Sequence, residues 1–254
     1  MDRTTPPVSA SRCDHPPAAA NRFMEGYSEF DPATYLEHNA VTPLRERIVR
    51  DMLGEFRGLR VLDAGCGDGS VSRRFLAHNH VTFLDVSAGM LAEAAKAIPP
   101  ECVPHAELVH AGLLEATFHT QFDIIVCFGV LAYIEDTERA IAHLAELLAP
   151  GGRCLLQITD TDNVFGKLIY NYARRRGQFV EAGRSRVTPT RMTRSQIVTC
   201  ASRHGLTFVG EKRHLPTVPG MWRFGRRLSS KYLEWGLHRQ LGCETYIELA
   251  RPER

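Results

Sequence analysis

Between Arg60 and Thr159 the sequence offers short, nearly continuous apolar runs separated by segments with helical spacing. The runs are "RVLDA", "VTFLD" (Val81 to Asp85), "AELVH" (ending near His110), "FDIIVCFG" (Phe122 to Gly129) and "RCLLQIT". Strands that lack polar alternation are buried on both faces, and strands that alternate with helices in sequence run parallel. The pattern therefore predicts a doubly wound, Rossmann-like α/β sheet with helices on both sides. Helices are expected from Gly69 to about His78, from about Ala88 to Ala97, and from about Asp136 to Leu148. The last two stop at Pro99-Pro100 and at Pro150-Gly151-Gly152.

The flanks fit the same architecture. Leu44, Ile48 and Leu53 give "EFDPATYLEHNAVTPLRERIVRDMLGEF" a helical stripe before the first strand. "MTRSQIVTCASRHG" reads as a helix, with Thr193 and Gln196 as a capping box and Gly205 as the stop. "LTFVGEKR" and "CETYIELA" complete seven strands, the last antiparallel because a long connection separates it from the sixth. Residues 1–22, rich in Pro, Ala and Ser, read as a disordered leader. Residues 23–254 then form one domain, with helical lid segments at about 160–192 and 216–241.

Composition narrows the classes. No apolar run reaches the ~20 residues of a membrane span. The seven cysteines are odd in number and contain no CxxC pair, which favours a reduced, cytoplasmic setting and argues against a disulfide framework. No cluster has metal-ligand spacing, so no metal is expected. Charge is lopsided. Residues 1–159 hold 13 Lys and Arg against 21 Asp and Glu, whereas residues 160–254 hold 18 against 8. A basic C-terminal third suits an anionic partner, or simply a solvated face.

The chemistry concentrates in Gly65-Cys66-Gly67-Asp68-Gly69, between the first strand and its helix. Glycines there permit a tight turn and close approach of a ligand to backbone N–H groups at a helix start. Dinucleotide-binding proteins place G-x-G-x-x-G at the same point, so the turn alone does not decide the ligand. Asp63 lies just ahead of the turn. Asp85 ends the second strand about 20 residues on, where an acid can hold both ribose hydroxyls. The set describes a nucleoside site at a topological switch point.

"VLDAGCGDGS", "VTFLDVSAGML", "FDIIVCFGVLAYIED" and "LLAPGGRCLL", in that order, resemble the class I S-adenosylmethionine-dependent methyltransferases. The resemblance covers about Val61 to Thr159. It implies S-adenosyl-L-methionine as cofactor and S-adenosyl-L-homocysteine as product. It implies that Asp63 orients the methionine ammonium and that Gly65, Cys66 and Gly67 pass beneath the methionine and ribose. Asp85 takes the ribose hydroxyls, Val86 and Met90 sandwich the adenine, and Phe128, Gly129 and Val130 line the sulfonium end. The family often carries an acid after the third strand. Here that place holds Ala111, so either the side-chain contact to the adenine is missing or a backbone amide near Gly112 and Leu113 serves in its place.

Acceptor residues are expected beyond the C-terminal ends of strands four to six, at Tyr133, Thr159 and Asp160, with His214 as candidate general base. The expected reaction is methyl transfer to a hydroxyl or amine of a small-molecule metabolite or natural product, with an apolar or anionic acceptor both open. Met221, Phe224, Leu228, Tyr232 and Trp235 form an apolar stripe in a basic stretch, read as a lid. The same stripe leaves peripheral membrane contact, and a lipid or carrier-linked acceptor, as an alternative. A non-catalytic cofactor-binding protein is a second alternative. A nucleic-acid acceptor is not expected, because the fourth strand runs into "CFGV" rather than a (D/N)PP(Y/F/W) tetrapeptide. A monomer and a homodimer are both compatible with the sequence.

Overall fold

The computed structural model describes residues 8–9, 42–164, 166–168, 171, 181–182, 185–186, 190–214 and 242–253. Its strands are β1 (Val8–Ser9), β2 (Arg60–Ala64), β3 (His80–Asp85), β4 (Ala106–His110), β5 (Phe122–Phe128), β6 (Leu148–Thr159), β7 (Glu181–Ala182), β8 (Ser185–Arg186), β9 (Thr207–His214) and β10 (Glu244–Ala250). Its helices are α1 (Thr42–Leu53), α2 (Ala88–Ala97), α3 (Thr137–Leu147) and α4 (Arg194–Arg203).

The main sheet has the order β1-β4-β3-β2-β5-β6-β10-β9. Strands β4, β3, β2, β5 and β6 are mutually parallel, and β10 runs antiparallel between β6 and β9. This is the expected seven-stranded mixed sheet, with the two residues of β1 added in parallel beside β4. Those two residues are the part of the expected leader that lies within the described region. Glu181–Ala182 and Ser185–Arg186 form a separate hairpin. The stripe at 216–241 lies outside the described residues, as does most of the lid expected at 160–192.

Alternation along the strands sorts the core into two faces. Leu62, Ala64, Ile125, Cys127, Leu156 and Ile247 pack with Ile141 and Leu144 of α3 and Ile197 of α4. Val61, Val126, Phe128, Leu155 and Tyr246 face the other way, toward Ile48 and Val49 of α1 and Leu91 of α2. Both faces of the central strands are thus covered, which explains their uninterrupted apolar runs.

Local signals set the helix boundaries. Ser87 caps α2 by accepting the Met90 N–H, and Asp136 caps α3 by accepting the Arg139 N–H at 2.9 Å. The Thr193–Gln196 capping box forms as expected. The helix expected from Gly69 to His78 shortens to a 3-10 turn over Arg73–Ala77. Asn79 closes it: its Nδ2 donates to the carbonyls of Phe75 and Phe56, while its Oδ1 accepts from the Leu59 N–H. β6 begins at Leu148, earlier than expected, because Gly151 and Gly152 pair with Arg251 beside β10.

Arg153 ties α1 to the sheet. Its guanidinium donates to the carbonyls of Met52 and Leu53, the orphan acceptors at the C-terminus of α1, and to Glu248 Oε1 at 2.6 Å. Glu248 is only 4% exposed. Removing Arg153 leaves a buried carboxylate without its cation, which is far costlier than losing a surface pair. Arg153→Met is expected to lower the unfolding free energy by about 2–3 kcal/mol in urea titration; a loss below ~0.5 kcal/mol would remove the anchor assigned to this residue.

Candidate functional site

The crevice between the C-terminal ends of β2 and β5 is where strand order reverses, and open α/β sheets bind ligands there. The glycine turn fills one lip of it. Gly65 N and Cys66 N both donate to the Leu84 carbonyl, at 2.8 and 3.0 Å, so the turn is fastened to the end of β3. Gly65 has φ +79°, and a Cβ there would fall inside the Val130 side chain. Glycine is required on both counts. This contact brings Val130 against the turn.

Asp85 joins the turn to the next helix. Its Oδ2 accepts the Gly67 N–H at 2.8 Å and its Oδ1 accepts the Ser87 N–H at 2.8 Å. Burial pushes its pKa up, opposed by the N–H bonds from Ser87 and Gly67 and by the His110 charge. A carboxylate has about four lone-pair sites. Two are occupied here, which leaves acceptor capacity for hydroxyl groups. Cys66 is buried, and burial together with Asp85, Asp63 and Asp68 holds its thiol protonated. It acts as packing rather than as a nucleophile.

Asp63 is 3% exposed, and its Oδ2 has no hydrogen-bond partner. Burial raises its pKa to about 7, with the Ser72 hydroxyl pulling the other way and Asp85 adding to the rise. An unsatisfied buried carboxylate oxygen is expensive unless a donor or cation meets it. Its position beside the turn suits an ammonium group.

The residues expected at the adenine end are less polar. Met90 is buried in α2, Val86 is half-buried, and the Val86 carbonyl meets His110 Nε2 at 2.9 Å. Ala111 N donates to the Asp85 carbonyl, so the segment after β4 follows β3 closely. Gly112 accepts the N–H groups of Glu115 and Ala116, and Leu113 is buried in this turn.

A second polar group lies on the α1 side of the sheet, at the ends of β6, β10 and β9. Thr159, Glu244 and His214 are direct register partners across three adjacent strands, so their side chains share a face. Thr159 Oγ1 donates to Glu244 Oε1 at 2.8 Å, and Gln157 Nε2 donates to Glu244 Oε2. Burial raises the pKa of Glu244, against the pull of Thr159 and Arg45. His214 is 7% exposed and stands edge-on to the Tyr246 ring, with centroids 6.1 Å apart. Gly129 adjoins the group: a Cβ built there would lie 3.3 Å from Arg45 Nη2 and 3.8 Å from Gln157 Oε1. Phe128 lies under the Arg45 guanidinium at 5.9 Å.

The expected site residues therefore fall into two sets. Asp63, Gly65, Cys66, Gly67, Asp85, Phe128, Gly129 and Val130 gather around the crevice, and Thr159 and His214 stand in the second polar group. Tyr133 ends a 3-10 turn (Leu131–Tyr133) directly after Val130. Asp160 is committed elsewhere: its Oδ1 accepts the N–H groups of Asp162 and Arg194, and its Oδ2 lies 3.9 Å from Arg213. Sequence reasoning missed Arg45, Ser72, Gln157 and Glu244. Gln157 and Glu244 did carry a signal, being polar residues within otherwise apolar strands. The structure also brings Glu138, Cys200 and His204 within 4.8 Å of one another, away from the glycine turn in sequence. Glu138 is already paired with Arg203 at 3.0 Å, and burial raises the Cys200 thiol. Among the described residues no helix is long and apolar enough to cross a membrane.

Comparison with known proteins agrees with this geometry. A protein-family model described as "Methyltransferase domain" matches residues 62–154. A ubiquinone biosynthesis O-methyltransferase of Bordetella avium is 30% identical over 155 residues, covering 57% of this chain and 59% of the relative. The chain spans about half the length of the curated relatives it matches. The N-methyltransferase NodS of Bradyrhizobium japonicum, in complex with S-adenosyl-L-homocysteine, superposes with a TM-score of 0.61 at 17% identity, covering 93% of this chain and all of that one. Magnesium protoporphyrin IX methyltransferase of Synechocystis, with bound S-adenosylmethionine, gives 0.55 at 17% identity over 84% of this chain and 80% of that one. At such identities these two structures establish the fold.

Three acids at the site set a pH dependence. Asp63, Asp85 and Glu244 all have raised pKa values, so between their unfolded values and their folded ones the native state holds protons that the unfolded chain has released. Stability of the ligand-free protein is expected to fall as pH rises, for Asp63 from about 3.8 to about 7. Thermal melts of wild type and Asp63→Asn between those limits test this. The variant should show the flatter decline, and identical slopes would contradict the assignment.

Proposed function

We propose that this chain, which belongs to the class I S-adenosylmethionine-dependent methyltransferases, moves a methyl group from S-adenosylmethionine to a hydroxyl or amine of a small molecule. The observation that carries the reading is the pair of acids flanking the glycine turn. Asp63 offers a buried, unpartnered carboxylate oxygen to the methionine ammonium. Asp85, aimed by the Gly67 and Ser87 N–H groups, keeps lone pairs for the ribose hydroxyls. The bound cofactor supplies an electrophilic methyl on a positively charged sulfur.

The chain's own contribution is placement. Gly65 and Val130 bring the turn and the end of β5 into contact, and Gly129 keeps the space beyond β5 free of a side chain. Holding an acceptor in line and close can supply roughly 7–11 kcal/mol of the barrier. As the acceptor oxygen or nitrogen bonds to the methyl carbon, the carbon–sulfur bond breaks and sulfur keeps the electron pair. His214 takes the proton released by the acceptor, for a typical gain of about 10²–10⁴-fold when that acceptor is a hydroxyl. The ubiquinone-pathway relative, named as an O-methyltransferase, supports an oxygen acceptor.

Calorimetric titration with S-adenosylmethionine and S-adenosylhomocysteine tests the cofactor half. Micromolar binding is expected, with Asp85→Ala weakening it about 10²-fold through the loss of two charge-assisted hydrogen bonds. Affinity should also drop as pH falls below about 7, where Asp63 gains a proton and no longer attracts an ammonium. Absence of binding to both molecules would overturn the proposal.

A further inference from the structure

Glu244 is half-buried against Gln157 and Thr159, and its two oxygens fix how the Gln157 amide must lie. A carboxylate accepts only, so Nε2 of Gln157 faces Glu244 and Oε1 is turned the other way. That oxygen points to the side of Gly129, 3.8 Å from where a Cβ would stand. Gln157 is 8% exposed, and its Oε1 has no hydrogen-bond partner. A buried amide oxygen held in place without a donor is costly. It is also ready to receive a donor brought by a ligand.

The surroundings narrow the ligand. Gln157 Oε1 and Asp63 Oδ2, both acceptors, are unpartnered on one face of the sheet. Glu244 adds a half-buried carboxylate to that face. The Arg45 guanidinium opposes the raised pKa values of both Asp63 and Glu244. A ligand carboxylate at Gln157 would set oxygen against oxygen and add a further negative charge near Glu244. An O–H or N–H would complete the open acceptor of Gln157.

We infer that Gln157 Oε1 is the docking point for the acceptor substrate, and that it selects a donor-bearing group, a hydroxyl or an amine, over a carboxylate. The inference rests on the methyl-transfer reading for its place in the reaction, since it puts the nucleophile beside Gly129 at the end of β5. His214 stands on the same face, in register with Glu244 on the neighbouring strand.

Three probes that share one ring and differ in one group test this: benzyl alcohol, benzylamine and benzoate. Each is titrated into the full chain with and without saturating S-adenosylhomocysteine, and binding is read from the thermal shift. The alcohol and the amine are expected to stabilise the protein at concentrations at least about fivefold below any at which benzoate does. Benzoate binding as well as or better than the other two overturns the inference, and so does the lack of a shift with all three. Gln157→Met should weaken the alcohol and amine about tenfold, the worth of one hydrogen bond of ~1.4 kcal/mol. The shift produced by S-adenosylhomocysteine should persist in that variant. If the variant does not fold, the order of the three probes on the wild type still decides. If S-adenosylhomocysteine itself gives no shift, the methyl-transfer reading fails, while the order of the probes continues to judge the subsite.

Discussion

The carboxylate of Asp85 is the interaction on which the site depends. It binds the backbone of the glycine turn through Gly67 and the start of α2 through Ser87. Two N–H groups that would otherwise point into the crevice unsatisfied are thereby fixed, and two chain segments separated in sequence share one anchor. The Leu84 carbonyl, accepting from Gly65 and Cys66, reinforces the same junction. Ligand recognition and local folding use the same atoms, so a change at Asp85 acts on both.

Around that anchor the electrostatics are incomplete in a consistent direction. Asp63, Asp85 and Glu244 all sit where water has been removed faster than compensating charge has been supplied. A fold with three such acids stores unfavourable energy that a donor or cation can release on binding. The apolar remainder of the face, built on Val61, Val126, Phe128, Leu155 and Tyr246, keeps the local dielectric low and so makes each added contact stronger.

Much of this was legible in the sequence because it is encoded locally. Strand identity follows from two-sided apolar runs, α4 from the Thr193–Gln196 box, and the crevice from glycines between a strand and its helix. Asp63 and Asp85 were readable because their positions follow from the strand ends. Arg45, Gln157 and Glu244 were not, for a different reason. Whether Gln157 meets Glu244 is decided by the register between β6 and β10, strands about 85 residues apart in the chain, through bonds with sequence separations of 85 and 87. Arg45 reaches Gly129 only because α1 packs across the sheet. Local pattern also misled at Gly69–His78, where a plausible helix is tightened into a 3-10 turn by the side chain of Asn79.

Considered mechanically, α1 is a beam clamped at one end. Arg153 grips the Met52 and Leu53 carbonyls, and Lys212 holds Asp51 at 2.8 Å. At the opposite end, the contact between Ser70 and Thr42 hydroxyls is long, at 3.4 Å. A 12-residue helix is about 18 Å long. A tilt of roughly 10° at the clamp therefore carries Thr42 through about 3 Å, with Arg45 moving in the same sense. The Arg153 end of α1 is tied to the sheet and the Arg45 end stands beside Gly129, so a rotation of the helix about its clamp would carry Arg45 with it.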